Sequence, residues 1–214
     1  MRSALITIGA TREFIDPVRY ISNESSGLQG MAIIEELIKN KIKTICIYGH
    51  ITAKKIISPY VKYIEATTGK SMLSAAKKHS NVDLAIFNAA VSDYRVKKTS
   101  SIKIKKKNTL NLSLIKNADI LLSISSMKKR PKIVLGFAYE TNNYKKYAKK
   151  KLIEKNCDYI VLNFPINNKK IFSSNKNNGL LLDRNFNWIN IGYLTKKKFA
   201  KKIIQHVMKD VHDY

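Results

Sequence analysis

The chain of 214 residues is 44% hydrophobic and 26% charged, with a formal net charge of +25 at pH 7. Its length fits one domain with a sizeable core, its apolar content excludes wholesale disorder, and no apolar run approaches the roughly 20 residues that span a bilayer. Cys46 and Cys157 lie in apolar stretches without metal-ligand spacing, which predicts two buried free thiols in a reducing compartment. We therefore expect a single domain over residues 1–214, located in the cytoplasm and without a membrane partner.

The positive charge is mostly lysine: 34 lysines stand against 6 arginines, beside 29 isoleucines and 19 asparagines. Lysine, isoleucine and asparagine all have A/T-rich codons, so a nucleotide bias of the genome accounts for this composition. A surface selected for nucleic acid would use more arginine, which binds phosphate and guanine with two hydrogen bonds. We therefore expect no nucleic-acid partner, and a basic nucleic-acid-binding scaffold remains the alternative interpretation.

The hydrophobic pattern predicts alternating strands and helices. Strands are predicted at residues 4–8, 43–48, 61–65, 82–88, 134–137, 159–163 and 180–183. Helices are predicted at residues 29–40, 71–79, 143–155 and 195–209, with Ser71 placed to cap the second of them. This alternation favours a Rossmann-like, doubly wound and mostly parallel sheet with helices on both faces.

Polar clusters follow several of these predicted strands, at residues 9–30, 88–95, 140–143 and 163–178. Because such sheets bind ligands at the carboxyl ends of their strands, these clusters predict one shared site. The 9–30 segment links a strand to a helix and is rich in small and hydrogen-bonding residues, which is typical of a phosphate-binding loop.

The segment from about 95 to 110, RVKKTSSIKIKKKNTL, is too basic and polar to belong to a core. The alternation of Ile102, Lys103, Ile104 and Lys105 suggests a β-arm. It is either a solvated hairpin or a lysine-bearing flap over a ligand with several phosphates.

Other sites lack support in the sequence. No GxGxxG, Walker A or HExxH pattern occurs, and the four histidines show no ligand spacing, so we predict no protein-built metal site. No Ser-His-Asp arrangement is defensible, whereas Asp93 and Asp119 lie within the polar clusters.

In these residues the chain resembles phosphopantothenate–cysteine ligase of bacterial coenzyme A biosynthesis over nearly its whole length. The motifs that carry the resemblance are Thr11-Arg12-Glu13, Ile15 to Asn23, Ser25-Ser26-Gly27, Asn88 to Val91, Asp93-Tyr94, Lys103 to Lys106, Asn117, Asp119-Ile120, Gly136-Phe137-Ala138, Glu140-Thr141, Ala148, Lys151 and Lys155. We expect the chain to begin at the ligase, without the fused flavin-dependent decarboxylase of many bacteria, so the resemblance implies no flavin and a separate decarboxylase.

The resemblance implies a two-step reaction. The carboxylate of 4′-phosphopantothenate attacks the α-phosphate of CTP, and the amine of L-cysteine then attacks the acyl cytidylate. It also implies a homodimer with the flap near the subunit interface, and Mg²⁺ held with the CTP mainly by phosphates and water. A catalytically inactive Rossmann-like scaffold is the other alternative.

The resemblance also implies residue roles. Lys103 neutralises charge during cytidylate formation, Asn23 supports aminolysis of the intermediate, and Arg19 binds the pantothenate phosphate or orients Asn23. The nucleotide pocket is formed by Ala89, Ala90, Asp93, Lys103, Ala118, Asp119, Ile120, Leu121, Phe137, Lys151 and Lys155. The phosphate loop contains Gly9, Thr11, Ser25, Ser26 and Gly27.

Five positions depart from the usual pattern of that family. Gly9-Ala10-Thr11 replaces Gly-Gly-Thr, and Leu28-Gln29-Gly30 replaces Lys-Met-Gly. Ala118 stands in place of proline and Tyr139 in place of alanine. None of them removes a residue expected to be catalytic, so they bear on ligand affinity more than on activity.

Overall fold

The computed structural model of the chain describes residues 3–106, 108–165 and 174–212, with side chains as far as Lys209. Its strands are β1 (Ser3–Ile8), β2 (Arg12–Asp16), β3 (Arg19–Ser22), β4 (Lys43–Tyr48), β5 (Val61–Glu65), β6 (Leu84–Phe87), β7 (Tyr94–Val96), β8 (Leu114–Lys116), β9 (Ile133–Tyr139), β10 (Tyr159–Asn163), β11 (Lys176–Asp183) and β12 (Trp188–Thr195). Its helices are α1 (Leu28–Lys39), α2 (Gly69–Lys78), α3 (Ile120–Ser125), α4 (Tyr144–Glu154) and α5 (Lys196–His212). None of the helices in these described ranges is long and apolar enough to cross a membrane.

One eight-stranded sheet forms the centre, in the order β12-β11-β10-β9-β6-β1-β4-β5. Six neighbouring strands of this sheet, β10, β9, β6, β1, β4 and β5, pair in parallel. Strands β11 and β12 join antiparallel at the β10 end. Parallel strands are buried on both faces, which explains continuous apolar runs such as the fully buried Leu84–Phe87. The predicted mostly parallel sheet is confirmed.

Helices cover both faces of the sheet. Helices α1 and α5 pack together on one face, over a core that includes Ile6, Ile34 and Phe199. Helices α2, α3 and α4 cover the other face, over a core that includes Leu5, Met72 and Ile160. Alternate residues of β1 thus enter opposite cores, as the period of two in a strand requires.

Two small hairpins lie outside the main sheet. Strands β2 and β3 form a hairpin within the segment predicted to be a continuous loop. Strands β7 and β8 flank the predicted β-arm, but residues 102–105 belong to no strand, so the β-arm assignment there is wrong. Among the described residues, no strand pairs with residues 102–105, so their Ile-Lys alternation is not part of a sheet.

Helix α2 begins two residues earlier than predicted, and Ser71 is not its cap. The N-cap is Thr68, whose side-chain oxygen accepts a hydrogen bond from the Ser71 amide at 3.1 Å. The Ser71 hydroxyl in turn accepts one from the Thr68 amide at 3.0 Å. This reciprocal capping box satisfies two N–H groups at the start of the helix.

Candidate active site

The point where the strand order reverses defines the position of the site. The chain runs outward from β1 to β4 and β5, and then returns to β6 on the other side of β1. The segments after β1 and β6 meet there, since Ala10 forms isolated bridges with Ala90 and His50. Open α/β sheets bind their ligands at such a reversal.

A cavity of about 490 Å³ opens at this reversal and is called the main cavity below. It is enclosed by the loop before α1, the segment after β6, the ends of β9, β10 and β11, and one lysine each from α4 and α5. Its lining residues are Asn23, Glu24, Ser25, Ser26, Gly27, Leu28, Gln29, Asn88, Ala89, Ala90, Val91, Asp93, Phe137, Ala138, Tyr139, Lys151, Asn163, Asn177 and Lys196.

A second cavity of about 170 Å³, the side cavity, adjoins the first. The two share Ala89, Val91, Asp93, Phe137 and Lys151. The remaining lining of the side cavity is Thr7, Phe87, Ser92 and the segment from Lys116 to Leu121. The two cavities together can hold a ligand with two chemically different ends.

Nine of the eleven predicted nucleotide-binding residues line these cavities, and Lys103 and Lys155 do not. Those that line both are Ala89, Asp93, Phe137 and Lys151. Ala90 lines the main cavity, and the residues that line only the side cavity are Ala118, Asp119, Ile120 and Leu121. Residues far apart in the sequence thus come together at one edge of the sheet, as predicted.

Lys151 lies where the two cavities meet. Its ammonium Nζ donates a hydrogen bond to the Phe137 carbonyl oxygen at 2.8 Å. Burial lowers the pKa of this lysine, while the nearby carboxylates of Glu140 and Asp119 act in the opposite direction. An anion at the junction would favour the charged form of Lys151.

Asp119 uses its two carboxylate oxygens for two tasks. Oδ1 accepts a hydrogen bond from the Leu122 amide at 2.8 Å and caps α3. Oδ2 lies 2.8 Å from the ammonium of Lys155. Burial would raise the pKa of Asp119, but the hydrogen bonds from Lys155 and Leu122 outweigh it and hold the pKa below its usual value. Lys155 lines neither cavity itself and is connected to the side cavity only through its ion pair with Asp119.

The loop before α1 presents an anion-binding arrangement to the main cavity. Gly27 is the N-cap, with a left-handed φ of 77° and no side-chain cap of its own, and the Leu28 amide donates to the Ser26 hydroxyl at 3.4 Å. The positive end of the helix dipole thus lies beside the main cavity, where it favours an anion. Asn23, at the start of this loop, donates from Nδ2 to the Val91 carbonyl oxygen at 3.0 Å.

Gly9 and Thr11 of the predicted phosphate loop have structural contacts and line neither cavity. Gly9 has a φ of 78°, and a Cβ there would lie 2.5 Å from the His50 carbonyl oxygen. The Thr11 side chain is buried, and its hydroxyl accepts a hydrogen bond from the Ser92 amide at 3.0 Å. The residues of the predicted loop therefore fall into two groups. Ser25, Ser26 and Gly27 line the main cavity, whereas Gly9 and Thr11 contact the neighbouring segments at His50 and Ser92.

Arg19 also lies outside both cavities, in the β2–β3 hairpin. It forms an ion pair at 2.5 Å with the buried carboxylate of Asp16 and donates to the Ile104 carbonyl oxygen at 2.7 Å. The Ile104 amide donates to Asp16 at 3.1 Å, so hairpin and flap are held together beside Lys103. The Arg19 guanidinium holds the pKa of Asp16 well below its usual range. Lys103 itself is exposed and lines neither cavity of this single chain.

Several polar residues of the main cavity were given no role in the site from the sequence. They are Gln29, Asn88, Asn163, Asn177 and Lys196. The polar cluster at residues 163–178 gave a signal for two of them, although residues 166–173 lie outside the described ranges. Lys196 gave none, because it is one of many lysines in the C-terminal region.

Residues 1–211 match the family described as the DNA/pantothenate metabolism flavoprotein C-terminal domain. The coenzyme A biosynthesis bifunctional protein CoaBC of Escherichia coli (strain K12) is 36% identical over 180 residues, which are 81% of this chain and 43% of that protein. The protein of the same name from Haemophilus influenzae is 39% identical over 176 residues, 80% of this chain and 43% of that protein. The chain thus spans less than half the length of these curated relatives.

A solved structure is similar over the whole chain. It is the crystal structure of the C-terminal domain of a coenzyme A biosynthesis bifunctional protein CoaBC, with a TM-score of 0.83 and 33% identity, and the match covers 100% of this chain and 97% of that one. These matches confirm the resemblance found in the sequence. The chain belongs to the family of DNA/pantothenate metabolism flavoprotein C-terminal domains.

Proposed function

We propose that this chain is a phosphopantothenate–cysteine ligase that joins 4′-phosphopantothenate to L-cysteine with CTP, as a step of coenzyme A biosynthesis. The family and the CoaBC relatives support the reaction. The observation that carries the proposal is the convergence of the expected nucleotide residues on two adjoining cavities at the reversal of the sheet.

The reaction needs activation because a carboxylate is a poor electrophile. A carboxylate oxygen of 4′-phosphopantothenate attacks the α-phosphorus of CTP, and the bond from that phosphorus to the bridging oxygen breaks to release pyrophosphate. The cysteine amine then attacks the acyl carbon, loses a proton and displaces CMP. The first step brings anions together, so fixed positive charge and N–H groups supply much of the catalysis.

The nucleoside end of CTP would occupy the side cavity, which is lined by the segment from Lys116 to Leu121. The α-phosphate would then lie at the junction, beside Lys151. Asn23 lines the main cavity from the loop before α1 and is anchored to the Val91 carbonyl oxygen. Its amide can donate to the acyl oxygen as the amine attacks.

Mg²⁺ would shield the negative charge of the triphosphate when bound. Among the described residues, no group of three or more His, Cys, Asp or Glu side chains could hold a metal ion. The ion would be carried mainly by phosphates and water, and Asp93 is the carboxylate that lines both cavities.

A homodimer would bring further residues to the site. The two hairpins expose large apolar side chains, with Val18 at 56%, Tyr94 at 53% and Leu114 at 45% of full exposure. Exposed apolar residues concentrated in one region mark an interface. A second copy packed on this surface would cover the flap that carries Lys103.

Pyrophosphate release by the purified protein tests the proposal, with 4′-phosphopantothenate, L-cysteine, Mg²⁺ and either CTP or ATP. Release is expected with CTP, it should depend on phosphopantothenate, and Lys103→Gln should abolish it. Lys105→Gln is the matched control, because Lys105 is an equally exposed flap lysine two residues away. A folded protein that releases no pyrophosphate with either nucleotide would leave an inactive scaffold.

A further inference from the structure

Lys196 is a buried lysine in the wall of the main cavity. It is the first residue of α5 and is only 8% exposed. It lines the main cavity together with the start of α1 but does not line the side cavity. Its ammonium Nζ donates to the Ser174 carbonyl oxygen, and its backbone N–H donates to the Asn175 carbonyl oxygen at 2.9 Å. The lysine is therefore at the end of the main cavity away from the proposed nucleoside.

Two buried amides fix the wall around Lys196. Asn177, 3% exposed, donates from Nδ2 to Oε1 of Gln29 at 2.7 Å. Gln29, 8% exposed, directs its Nε2 at the Lys196 carbonyl oxygen, 3.5 Å away. These contacts join the first turn of α1 to β11 and to the first residue of α5. Three segments that are distant in sequence thus build one rigid end of the cavity.

The side chains of Lys196 and of the next lysine have different surroundings. The Lys197 side chain is 74% exposed and lies 3.0 Å from a carboxylate oxygen of Glu35 at the surface. Burial lowers the pKa of Lys196, because a positive charge is less stable away from water. A bound phosphate would offset that cost, since opposite charge favours the charged form.

We propose that Lys196 binds the terminal phosphates of the nucleoside triphosphate, the part that leaves as pyrophosphate, and that Gln29 and Asn177 position it. The inference rests on the proposed function. With the nucleoside in the side cavity and the α-phosphate at Lys151, the terminal phosphates extend into the main cavity. The first turn of α1, through Leu28 and Gln29, and Lys196 both line that volume.

The chemistry of the first step agrees with this placement. In an in-line displacement the leaving group departs on the side opposite the entering carboxylate. As the bond between the α-phosphorus and the bridging oxygen breaks, its electron pair moves to the pyrophosphate oxygen. The protonated Lys196 stabilises that growing charge and neither gains nor loses a proton. The acid substrate then enters from the side of Asn23 and the flap.

Direct binding measurements test this assignment without turnover. Isothermal titration calorimetry in the presence of Mg²⁺ would give Kd for inorganic pyrophosphate, CTP and CMP with the wild type, Lys196→Gln, Lys196→Arg and the control Lys197→Gln. Lys196→Gln should raise Kd for pyrophosphate and for CTP by at least about tenfold, because a charge-assisted hydrogen bond is lost. Kd for CMP should stay within about twofold, and Lys196→Arg should retain pyrophosphate binding.

Three results would overturn the inference. They are an unchanged Kd for pyrophosphate in Lys196→Gln, an equal loss of CMP affinity, or the same loss in Lys197→Gln. Thermal unfolding of Lys196→Gln shows whether that variant is folded. If it is not, a folded Lys196→Arg that fails to bind pyrophosphate would overturn the inference. A wild type that binds pyrophosphate through Lys196 but releases none with phosphopantothenate would contradict the proposed function and leave this inference standing.

Discussion

Asp119 offers a prediction in which two contributions to stability can be separated. One carboxylate oxygen caps α3 and the other pairs with Lys155, each at 2.8 Å. Serine keeps a capping oxygen and loses the charge, whereas alanine loses both. Asp119→Ser and Asp119→Ala should therefore destabilise the protein to different extents.

The expected magnitudes follow from exposure. The side chains of the pair are 25% exposed for Lys155 and 35% for Asp119, so the ion pair should contribute about 0.5 kcal/mol after solvent screening. Loss of an N-cap costs about 1 kcal/mol. We expect the free energy of unfolding to fall by about 0.5 kcal/mol in Asp119→Ser and about 1.5 kcal/mol in Asp119→Ala. For a chain of this size the latter lowers Tm by roughly 3–6 °C.

Urea unfolding of both variants, at pH 7 and near pH 3, measures these terms. Since the pKa of Asp119 is lowered in the folded chain, its charge stabilises the fold above the unfolded pKa of about 3.9, and this contribution disappears as the pH falls through the folded pKa. The difference between wild type and Asp119→Ser should therefore shrink at the lower pH. A serine variant as unstable as the alanine variant, or a difference independent of pH, would refute the reasoning.

Three further predictions concern packing and reactivity. Gly9→Ala should lower the free energy of unfolding by at least about 1–2 kcal/mol. The reason is that φ is 78° at this residue and the new Cβ would lie 2.5 Å from the His50 carbonyl oxygen. Unchanged urea unfolding would contradict this. Thr68→Ala should cost about 1 kcal/mol by removing the α2 cap, with no change in Tm as the opposing result. Burial raises the pKa of Cys46 and of Cys157 to about 12, so at pH 8 both should react with a thiol reagent on the order of a thousandfold more slowly than in urea; equal rates would exclude burial.

The main sheet could be predicted because its strands are continuous apolar runs, but the β2–β3 hairpin could not. In β2 the buried side chains are the acids Glu13 and Asp16, while Phe14 is exposed. This pattern inverts the rule that the apolar residues of a strand face inward. The buried carboxylates are compensated by partners from distant segments, such as the Gly69 amide on Glu13 at 2.8 Å, and no local pattern reveals those.

The candidate site likewise contains residues that could be predicted from the sequence and residues that could not. The nucleotide residues could be placed because each follows a strand end or belongs to a motif. Lys196 and Gln29 could not, since their positions depend on how α5 and β11 dock beside α1. The main role of Arg19 in this chain, holding Asp16 and the flap, likewise depends on a contact across 85 residues.

The anchoring of Ile104 constrains how the flap can move. Its N–H is bound to Asp16 and its carbonyl oxygen to Arg19, so this one residue is fixed on both sides of its backbone. A second anchor lies at Ser100, whose amide donates to the Ile15 carbonyl oxygen at 3.0 Å. Lys103 lies between these two anchored residues, so the β2–β3 hairpin restrains its backbone on both sides. The lysine expected to act in chemistry is thus tethered to the hairpin that contains Arg19.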